Sequence, residues 1–126
     1  EEANEFSDLA KENNISLIML VAPNTSNERI KYISKLAGDL IYCVSILGIT
    51  GSNSSNDSLE DYLKRVEQYS ECPFVVGFGI STREDVKKIN RLSHGAVIGS
   101  AIINRFFENE PARTILYLYI RDLKND

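Results

Sequence analysis

One stretch decides the fold of this chain: Phe74-Val75-Val76-Gly77-Phe78-Gly79-Ile80-Ser81-Thr82-Arg83-Glu84-Asp85. An apolar run of strand length leads into two glycines spaced by one residue, and a Ser81-x-x-Glu84 pattern with helical periodicity follows. We therefore expect a buried strand, a tight turn and a capped helix, in that order. Gly77 and Gly79 leave backbone N–H groups uncovered, so that an anionic group can approach the turn closely.

A shorter version of this arrangement follows at Ala96-Val97-Ile98-Gly99-Ser100-Ala101-Ile102. Two neighbouring strand-to-glycine turns indicate one ligand held between two loops, with the Ser100 hydroxyl as a further donor. Thr50 and Gly51, which follow the preceding predicted strand, could complete the same cradle. The alternative interpretation is that these glycines only permit tight turns between strands and helices.

The composition is that of an ordinary globular domain, with 126 residues, of which 43% are hydrophobic and 25% charged. A net charge of −4 without a cluster of Lys or Arg argues against a nucleic-acid surface. No apolar run reaches the roughly 20 residues that span a bilayer, and Glu1–Glu5 has no feature of a signal peptide. We therefore expect a cytoplasmic protein in which Cys43 and Cys72 are reduced thiols rather than a disulfide or metal site.

Apolar runs alternate with helical patterns along the whole chain, in the order α, then βα four times. The predicted strands cover residues 17–22, 40–45, 74–77 and 96–98. Continuous apolar runs indicate strands covered on both faces, hence a parallel sheet. Either a small doubly wound sheet or four consecutive units of a (β/α)8 barrel fits this order. The length favours the first, since a complete barrel takes roughly 250 residues, whereas the short helix opened by Gly99-Ser100 favours the second.

Helix boundaries follow from capping patterns and apolar stripes. The first helix is predicted over residues 2–13, where Ala3, Phe6, Leu9 and Ala10 recur at helical spacing. Thr25-x-x-Glu28 and Ser58-x-x-Asp61 are predicted capping boxes, and the polar tract 52–57 is a predicted mobile loop.

The sequence offers a candidate phosphate cradle without a candidate for acid–base chemistry. His94, the single histidine, precedes the fourth strand and so is expected at the face opposite the glycine turns. Tyr42 lies within the second strand, where either core packing or pocket lining is possible. We find no acid–base pair, no nucleophile and no metal cluster, and therefore expect only part of an active site.

Four motifs connect these residues to a family: Leu20-Val21-Ala22-Pro23-Asn24-Thr25, Tyr42-Cys43-Val44-Ser45 leading to Gly48-Ile49-Thr50-Gly51, Gly77-Phe78-Gly79-Ile80-Ser81, and Ile98-Gly99-Ser100-Ala101-Ile102. In order and spacing they closely resemble the tryptophan synthase alpha subunit. The resemblance covers essentially the whole chain and corresponds to the C-terminal half of that (β/α)8 barrel, from helix four to helix eight. It implies that residues 1–126 are a single partial domain with four strands and about six helices.

The resemblance implies a lyase of tryptophan biosynthesis, which cleaves indole-3-glycerol phosphate to indole and glyceraldehyde 3-phosphate. Gly79, Gly99 and Ser100 would bind the substrate phosphate, Gly51 would close over it, and Phe78 would flank the substrate. Tyr42 would line the pocket near the catalytic carboxylate, and Thr50 would order on closure. Together with the turn glycine identified above, the predicted binding residues are Gly51, Gly77, Phe78, Gly79, Gly99 and Ser100, supported by Tyr42 and Thr50.

In this family the catalytic Glu and the Asp that contacts the indole nitrogen belong to the N-terminal half of the barrel. The resemblance therefore implies that this chain alone is inactive and requires the missing N-terminal half-barrel. It further implies no cofactor in this chain, with pyridoxal phosphate only in a beta subunit or fused beta domain. Two alternatives remain open: a non-catalytic phosphate-binding or assembly half-barrel, and another phosphate-binding barrel enzyme.

Overall fold

The computed structural model describes residues 2–45, 55–108 and 112–124. Within them, four parallel strands form one sheet in the order in which they occur along the chain. The strands are Met19–Val21 (β1), Ile41–Val44 (β2), Phe74–Gly77 (β3) and Ala96–Val97 (β4). The first, second and fourth are shorter than predicted, but the register is continuous, with Tyr42 opposite both Leu20 and Val75.

Six helices accompany the strands in the described part of the chain. They are Glu2–Glu12 (α1), Asn27–Ala37 (α2), Ser55–Tyr69 (α3), Arg83–Leu92 (α4), Ser100–Glu108 (α5) and Ala112–Lys124 (α6). A doubly wound sheet reverses its strand order at a switch point, whereas successive units of a barrel do not. The uninterrupted order β1-β2-β3-β4 therefore selects the barrel arrangement, of which this chain provides four units.

The core lies between one face of the sheet and the helices. Because successive side chains of a strand point to opposite faces, alternate residues enter this core. Its strand members are Val21, Ile41, Cys43, Phe74 and Val76, which are all at most 2% exposed. Ile30, Leu63, Val66 and Ile89 fill it from α2, α3 and α4.

The opposite face of the sheet, which would form the inside of a barrel, is not covered by the described residues. Leu20 is 61% exposed and Val97 is 38% exposed. Among residues 2–45, 55–108 and 112–124, the prediction that these strands are covered on both faces is therefore wrong. The apolar runs have the pattern of strands buried on both sides, but four barrel units place their helices on one side only.

The first helix, Glu2–Glu12, lies where predicted, but its apolar stripe is largely exposed. Phe6 and Leu9 are 66% and 57% exposed, whereas Ser7 is buried and donates a hydrogen bond to the Leu36 carbonyl at 3.1 Å. Phe6 and Leu9 of the predicted apolar stripe are therefore not covered by the described residues. A helix at the end of the row packs against one neighbour, here α2, and its apolar stripe faces away from that contact.

Two helix caps lie one residue later than predicted. Ser26 rather than Thr25 caps α2, with its Oγ accepting from the Arg29 N–H at 3.3 Å. Thr25 Oγ1 instead accepts from the Ala22 N–H at 3.0 Å and closes the turn after β1. Neighbouring hydroxyl residues offer equivalent acceptors, and the path of the turn decides between them.

The cap of α4 is a reciprocal box between Thr82 and Asp85 rather than between Ser81 and Glu84. Thr82 Oγ1 accepts from the Asp85 N–H at 3.1 Å, and Asp85 Oδ2 accepts from the Thr82 N–H at 2.9 Å. Burial alone would raise the pKa of the Asp85 carboxyl, but hydrogen bonds from Thr82 and from the Ser81 N–H hold that pKa below its ordinary value.

The third helix begins earlier than predicted, at Ser55, so that Ser58-x-x-Asp61 lies inside the helix and does not cap it. Of the predicted mobile tract 52–57, residues 55–57 are helical, and residues 52–54 lie outside the described residues. Ser, Asn and Asp are common in loops and are also tolerated in the first turn of a helix. The polar composition of the tract therefore did not reveal that α3 begins at Ser55.

Candidate phosphate site at the carboxyl ends of the last two strands

A cavity of about 200 Å³ opens at the carboxyl ends of β3 and β4. It is lined by Tyr42, Phe78, Gly79, Ile80, Val97, Gly99 and Ser100. Five of these, namely Tyr42, Phe78, Gly79, Gly99 and Ser100, are predicted site residues, which the parallel sheet brings to one place although they are far apart in the sequence. The carboxyl edge of a parallel sheet is where such folds bind their ligands.

The turn after β3 has an unusual backbone. Phe78 and Gly79 both adopt positive φ, at 79° and 74°. Glycine tolerates this region, but a side chain such as that of Phe78 is strained there by about 1–3 kcal/mol, and such strain concentrates at functional sites. The Phe78 ring is 60% exposed and stands edge-on to Tyr42, with ring centroids 6.3 Å apart.

Among the predicted binding residues that the structure describes, Gly77 does not line the cavity. A Cβ placed on Gly77 would lie 1.8 Å from Tyr42 Oη and 2.4 Å from Tyr42 Cζ. The missing side chain therefore makes room for the Tyr42 ring, which lies across β3 and forms one wall of the cavity. Of the two roles considered for Tyr42, the structure favours pocket lining.

The second wall of the cavity is the start of α5. The Gly99 carbonyl accepts from the Ile102 and Ile103 N–H groups at 2.9 and 3.2 Å, so the helical hydrogen bonds begin there. The N–H groups of Ser100 and Ala101 precede these bonds and have no partner within the helix. Together with the positive end of the helix dipole, they make the Gly99-Ser100 turn an electrostatically favourable place for an anion.

Sequence reasoning gave no role to Ser45, which the structure places directly behind this turn. Its side chain is buried, and its N–H donates to the Gly77 carbonyl at 3.0 Å. Its Oγ lies 2.8 Å from the carbonyl oxygens of both Gly77 and Phe78. The sequence does contain a signal for this contact: Ser45 is a hydroxyl residue at the end of β2, and the next strand, β3, ends in the glycine turn.

Two further predicted residues, Thr50 and Gly51, lie outside the described residues. His94 lies at the other end of the sheet, as predicted: its Nδ1 accepts from the Phe74 N–H at 3.3 Å, and its ring packs edge-on against the Phe74 ring. Within the described ranges, no three His, Cys, Asp or Glu side chains are grouped so as to hold a metal ion.

The buried ionisable groups belong to the core rather than to the cavity. Burial raises the pKa of the Cys43 thiol to about 11 and also raises the pKa of Tyr62, whose hydroxyl donates to the Val21 carbonyl at 2.8 Å. Cys43 and Cys72 are both free, as predicted. None of the helices in the described part of the chain combines the length and apolarity needed to cross a membrane.

Comparison with known proteins places this geometry in a family. Residues 1–119 match the family model of the tryptophan synthase alpha chain. The tryptophan synthase alpha chain of Petrotoga mobilis (strain DSM 10674 / SJ95) is 44% identical over 110 residues, which are 86% of this chain and 43% of that protein. A mutant tryptophan synthase alpha-subunit from Pyrococcus furiosus superposes with a TM-score of 0.82 at 32% identity, covering 97% of this chain and 50% of that one.

A structure of the tryptophan synthase a2b2 complex from Pyrococcus furiosus gives a TM-score of 0.80 at 32% identity, over 96% of this chain and 48% of the matched chain. The chain thus spans between two fifths and one half of the length of these relatives. Four parallel βα units that superpose on half of such a protein are half of a (β/α)8 barrel. The chain belongs to the tryptophan synthase alpha chain family.

Proposed function

We propose that this chain is the phosphate-binding half of a tryptophan synthase alpha component, a lyase that cleaves indole-3-glycerol phosphate to indole and glyceraldehyde 3-phosphate. The observation that supports this most directly is the cavity between β3 and β4, where Gly79, Gly99 and Ser100 converge. The phosphate binds the α5 N-terminus and the Gly79 turn, and the Ser100 hydroxyl adds a hydrogen bond.

The aromatic side of the cavity suits the remainder of such a substrate. Tyr42 and Phe78 present ring surface beside the glycine turns, and a planar indole packs favourably against aromatic rings. The volume of about 200 Å³ is smaller than the roughly 300–1,000 Å³ of complete ligand pockets. We infer that the described part of this chain encloses the phosphate end of the substrate and leaves the rest to other elements.

The reaction requires groups that the described cavity does not supply. Its lining contains no carboxylate, histidine or lysine, so that neither protonation of the indole ring nor deprotonation of the glycerol hydroxyl has a general acid or base here. We propose that the catalytic Glu and Asp come from the other half of the barrel, and that this chain alone releases no indole.

The uncovered face of the sheet indicates how that half would bind. Leu20 and Val97 are exposed on the inner face, on the two outermost strands, and Phe6 and Leu9 are exposed on α1. Exposed edge strands and apolar faces are normally covered. We propose that four further βα units pair with β1 and β4 and close the barrel. Assembly with a pyridoxal-phosphate-dependent beta component, with no cofactor held by this chain, completes the proposed function.

A pair of glycine substitutions at opposite ends of β4 tests the phosphate site. A Cβ on Gly99 meets nothing within 4 Å, and one on Gly95 meets only Val75 Cγ1 at an ordinary 3.5 Å. Both Gly99→Ala and Gly95→Ala should therefore fold, but only the first places a methyl group beside the N–H donors of α5. Because hydrogen bonds to a charged group are involved, we expect Gly99→Ala to weaken binding of indole-3-propanol phosphate at least about tenfold.

Calorimetric titration of both variants with indole-3-propanol phosphate and with ribose 5-phosphate measures this. Gly95→Ala is the control and should bind within about twofold of the unsubstituted chain, as expected of a surface change away from the site. Equal affinity for the two ligands would favour another phosphate-binding barrel enzyme. Equal affinity of the two variants would contradict the assignment of the phosphate site.

A further inference from the structure

Both the backbone N–H and the side-chain hydroxyl of Ser45 contact carbonyl oxygens of the turn after β3. Its N–H already donates to the Gly77 carbonyl, so that this carbonyl is satisfied without the side chain. The Phe78 carbonyl differs, because within the described residues the donor that reaches it is the Ser45 hydroxyl, at 2.8 Å. Ser45 is only 4% exposed, so that its hydroxyl depends on a protein acceptor rather than on solvent.

The orientation of the Phe78 carbonyl determines where the next N–H points. In a trans peptide the C=O and N–H bonds point in opposite directions. Because the Phe78 carbonyl points towards Ser45 at the end of β2, the Gly79 N–H points the other way, towards the β4 side of the turn. Gly79 lines the cavity there, beside Gly99 and Ser100.

This peptide group also joins two residues with positive φ. Glycine adopts this region readily, but Phe78 is strained there and keeps this backbone conformation only with support from its surroundings. If the peptide plane between Phe78 and Gly79 rotated by half a turn, the Phe78 carbonyl and the Gly79 N–H would exchange places. The cavity would then face a carbonyl oxygen instead of an N–H. A carbonyl oxygen repels an anion, so that the orientation decides whether the turn attracts or rejects phosphate.

We propose that Ser45 is a positioning residue of the phosphate site: its hydroxyl holds the Phe78 carbonyl so that the Gly79 N–H faces the cavity and donates to the ligand. This inference rests on the proposed function for the ligand, but the orientation of the peptide group can be measured without any ligand. Ser45 does not itself touch the cavity, and its effect is exerted through Gly79.

The chain contains a matched control at the opposite side of the core. Ser34 is also buried, and its Oγ donates to the Lys31 carbonyl at 3.0 Å and accepts from the Glu71 N–H at 3.2 Å. Ser34→Ala therefore removes the same hydroxyl from a comparable environment away from the cavity. Ser45→Thr keeps the hydroxyl at the site and serves as the conservative variant.

Two measurements on the 126-residue chain test the proposal. Without ligand, ¹⁵N NMR should show the Gly79 amide resonance of Ser45→Ala displaced or broadened, whereas Ser34→Ala leaves it unchanged. With inorganic phosphate as ligand, Ser45→Ala should bind roughly two- to tenfold more weakly, the range expected for one net hydrogen bond. Ser45→Thr should restore both the resonance and the affinity.

The outcomes separate this inference from the proposed function. If the unsubstituted chain binds no phosphate but Ser45→Ala still displaces the Gly79 amide, the proposed function fails and the role of Ser45 in orienting the turn survives. If phosphate binds and Ser45→Ala affects neither the amide nor the affinity, the inference is overturned and the phosphate site stands. Should Ser45→Ala fail to fold, an unaltered Gly79 amide and normal affinity in Ser45→Cys, whose thiol is a weak donor, would equally overturn it.

Discussion

The two faces of the sheet differ although their side chains are equally apolar. On the face towards the helices, Ile41 and Val76 are fully buried, whereas on the other face Leu20 and Val97 are exposed. Hydrophobicity cannot explain the difference, because all four residues are aliphatic. The explanation is that the described helices cover one face of the sheet and that no described element covers the other.

This contrast carries both structural and functional information. The covered face supplies the hydrophobic stabilisation of the folded chain, and the uncovered face and its edges are where we propose that further βα units pair. The proposed phosphate cradle lies at the carboxyl edge, where it depends on turns between strands and helices rather than on the uncovered face. We therefore expect that a chain with half of the barrel presents this cradle already formed.

The largest expected effect concerns the stability contributed by each face. Ile41→Ala removes a fully buried side chain from the covered face and should lower the free energy of unfolding by about 2–5 kcal/mol. Leu20→Ala on the uncovered face should change it by no more than about 0.5 kcal/mol. Urea denaturation followed by circular dichroism measures both. A loss of similar size in the two variants would mean that the inner face is covered in solution, for example by self-association.

A smaller loss of stability is expected at Gly77, the position on the inner face that the Tyr42 side chain covers. Tyr42 occupies the space above Gly77, so that Gly77→Ala overpacks this contact and should destabilise the chain by about 1–3 kcal/mol. Combining it with Tyr42→Ala should recover part of that loss, which a double-mutant cycle detects. Gly95→Ala, whose Cβ has ordinary contacts, is the control. Strict additivity of Gly77→Ala and Tyr42→Ala would argue against the contact.

The smallest effect concerns the cap of α4, a helix that covers the outer face through Ile89. Thr82→Ala should lower the free energy of unfolding by about 0.5–2 kcal/mol through loss of the side-chain acceptor for the Asp85 N–H. The same box predicts a dependence on pH. Because the folded-state pKa of Asp85 is lowered, its carboxylate stabilises the fold above its unfolded pKa of about 3.9, and this contribution is lost as the pH falls through the lower folded value.

Denaturation of the unsubstituted chain and of Asp85→Asn between about pH 6 and about pH 3 isolates that contribution. The advantage of the unsubstituted chain should shrink towards the acidic end. A difference that stays constant across this range would show that the charge of Asp85 does not contribute to the cap.

Much of the fold could be predicted because strand and helix patterns alternate regularly and because the glycine motifs occur in family order. The sites of the strands, the existence of six helices and the convergence of Gly79, Gly99 and Ser100 all follow from that alternation. The position of His94 away from the glycine turns follows from the same argument. These features depend on the order of residues along the chain, which the sequence contains directly.

The remaining features depend on contacts between distant residues. Ser45 meets the Gly77 and Phe78 carbonyls across 32 and 33 positions, and Phe78 carries a positive φ although glycines flank it on both sides. The exposed stripe of α1 could not be predicted, because an apolar stripe indicates that a helix needs a partner but does not identify the partner. The caps were displaced by one residue where hydroxyl side chains adjoin, as at Thr25 and Ser26.

We propose that the glycine turns at the carboxyl ends of β3 and β4 already form a phosphate site in this chain. Titration of the ¹⁵N-labelled chain with inorganic phosphate, followed at every assigned backbone amide, measures where the anion binds. We expect the largest saturable shifts at Gly79, Gly99, Ser100 and Ala101. Shifts centred elsewhere, for example around Lys87 and Lys124 beside Gly95, or no saturable shift at any amide of the cradle, would show that these turns do not form a phosphate site.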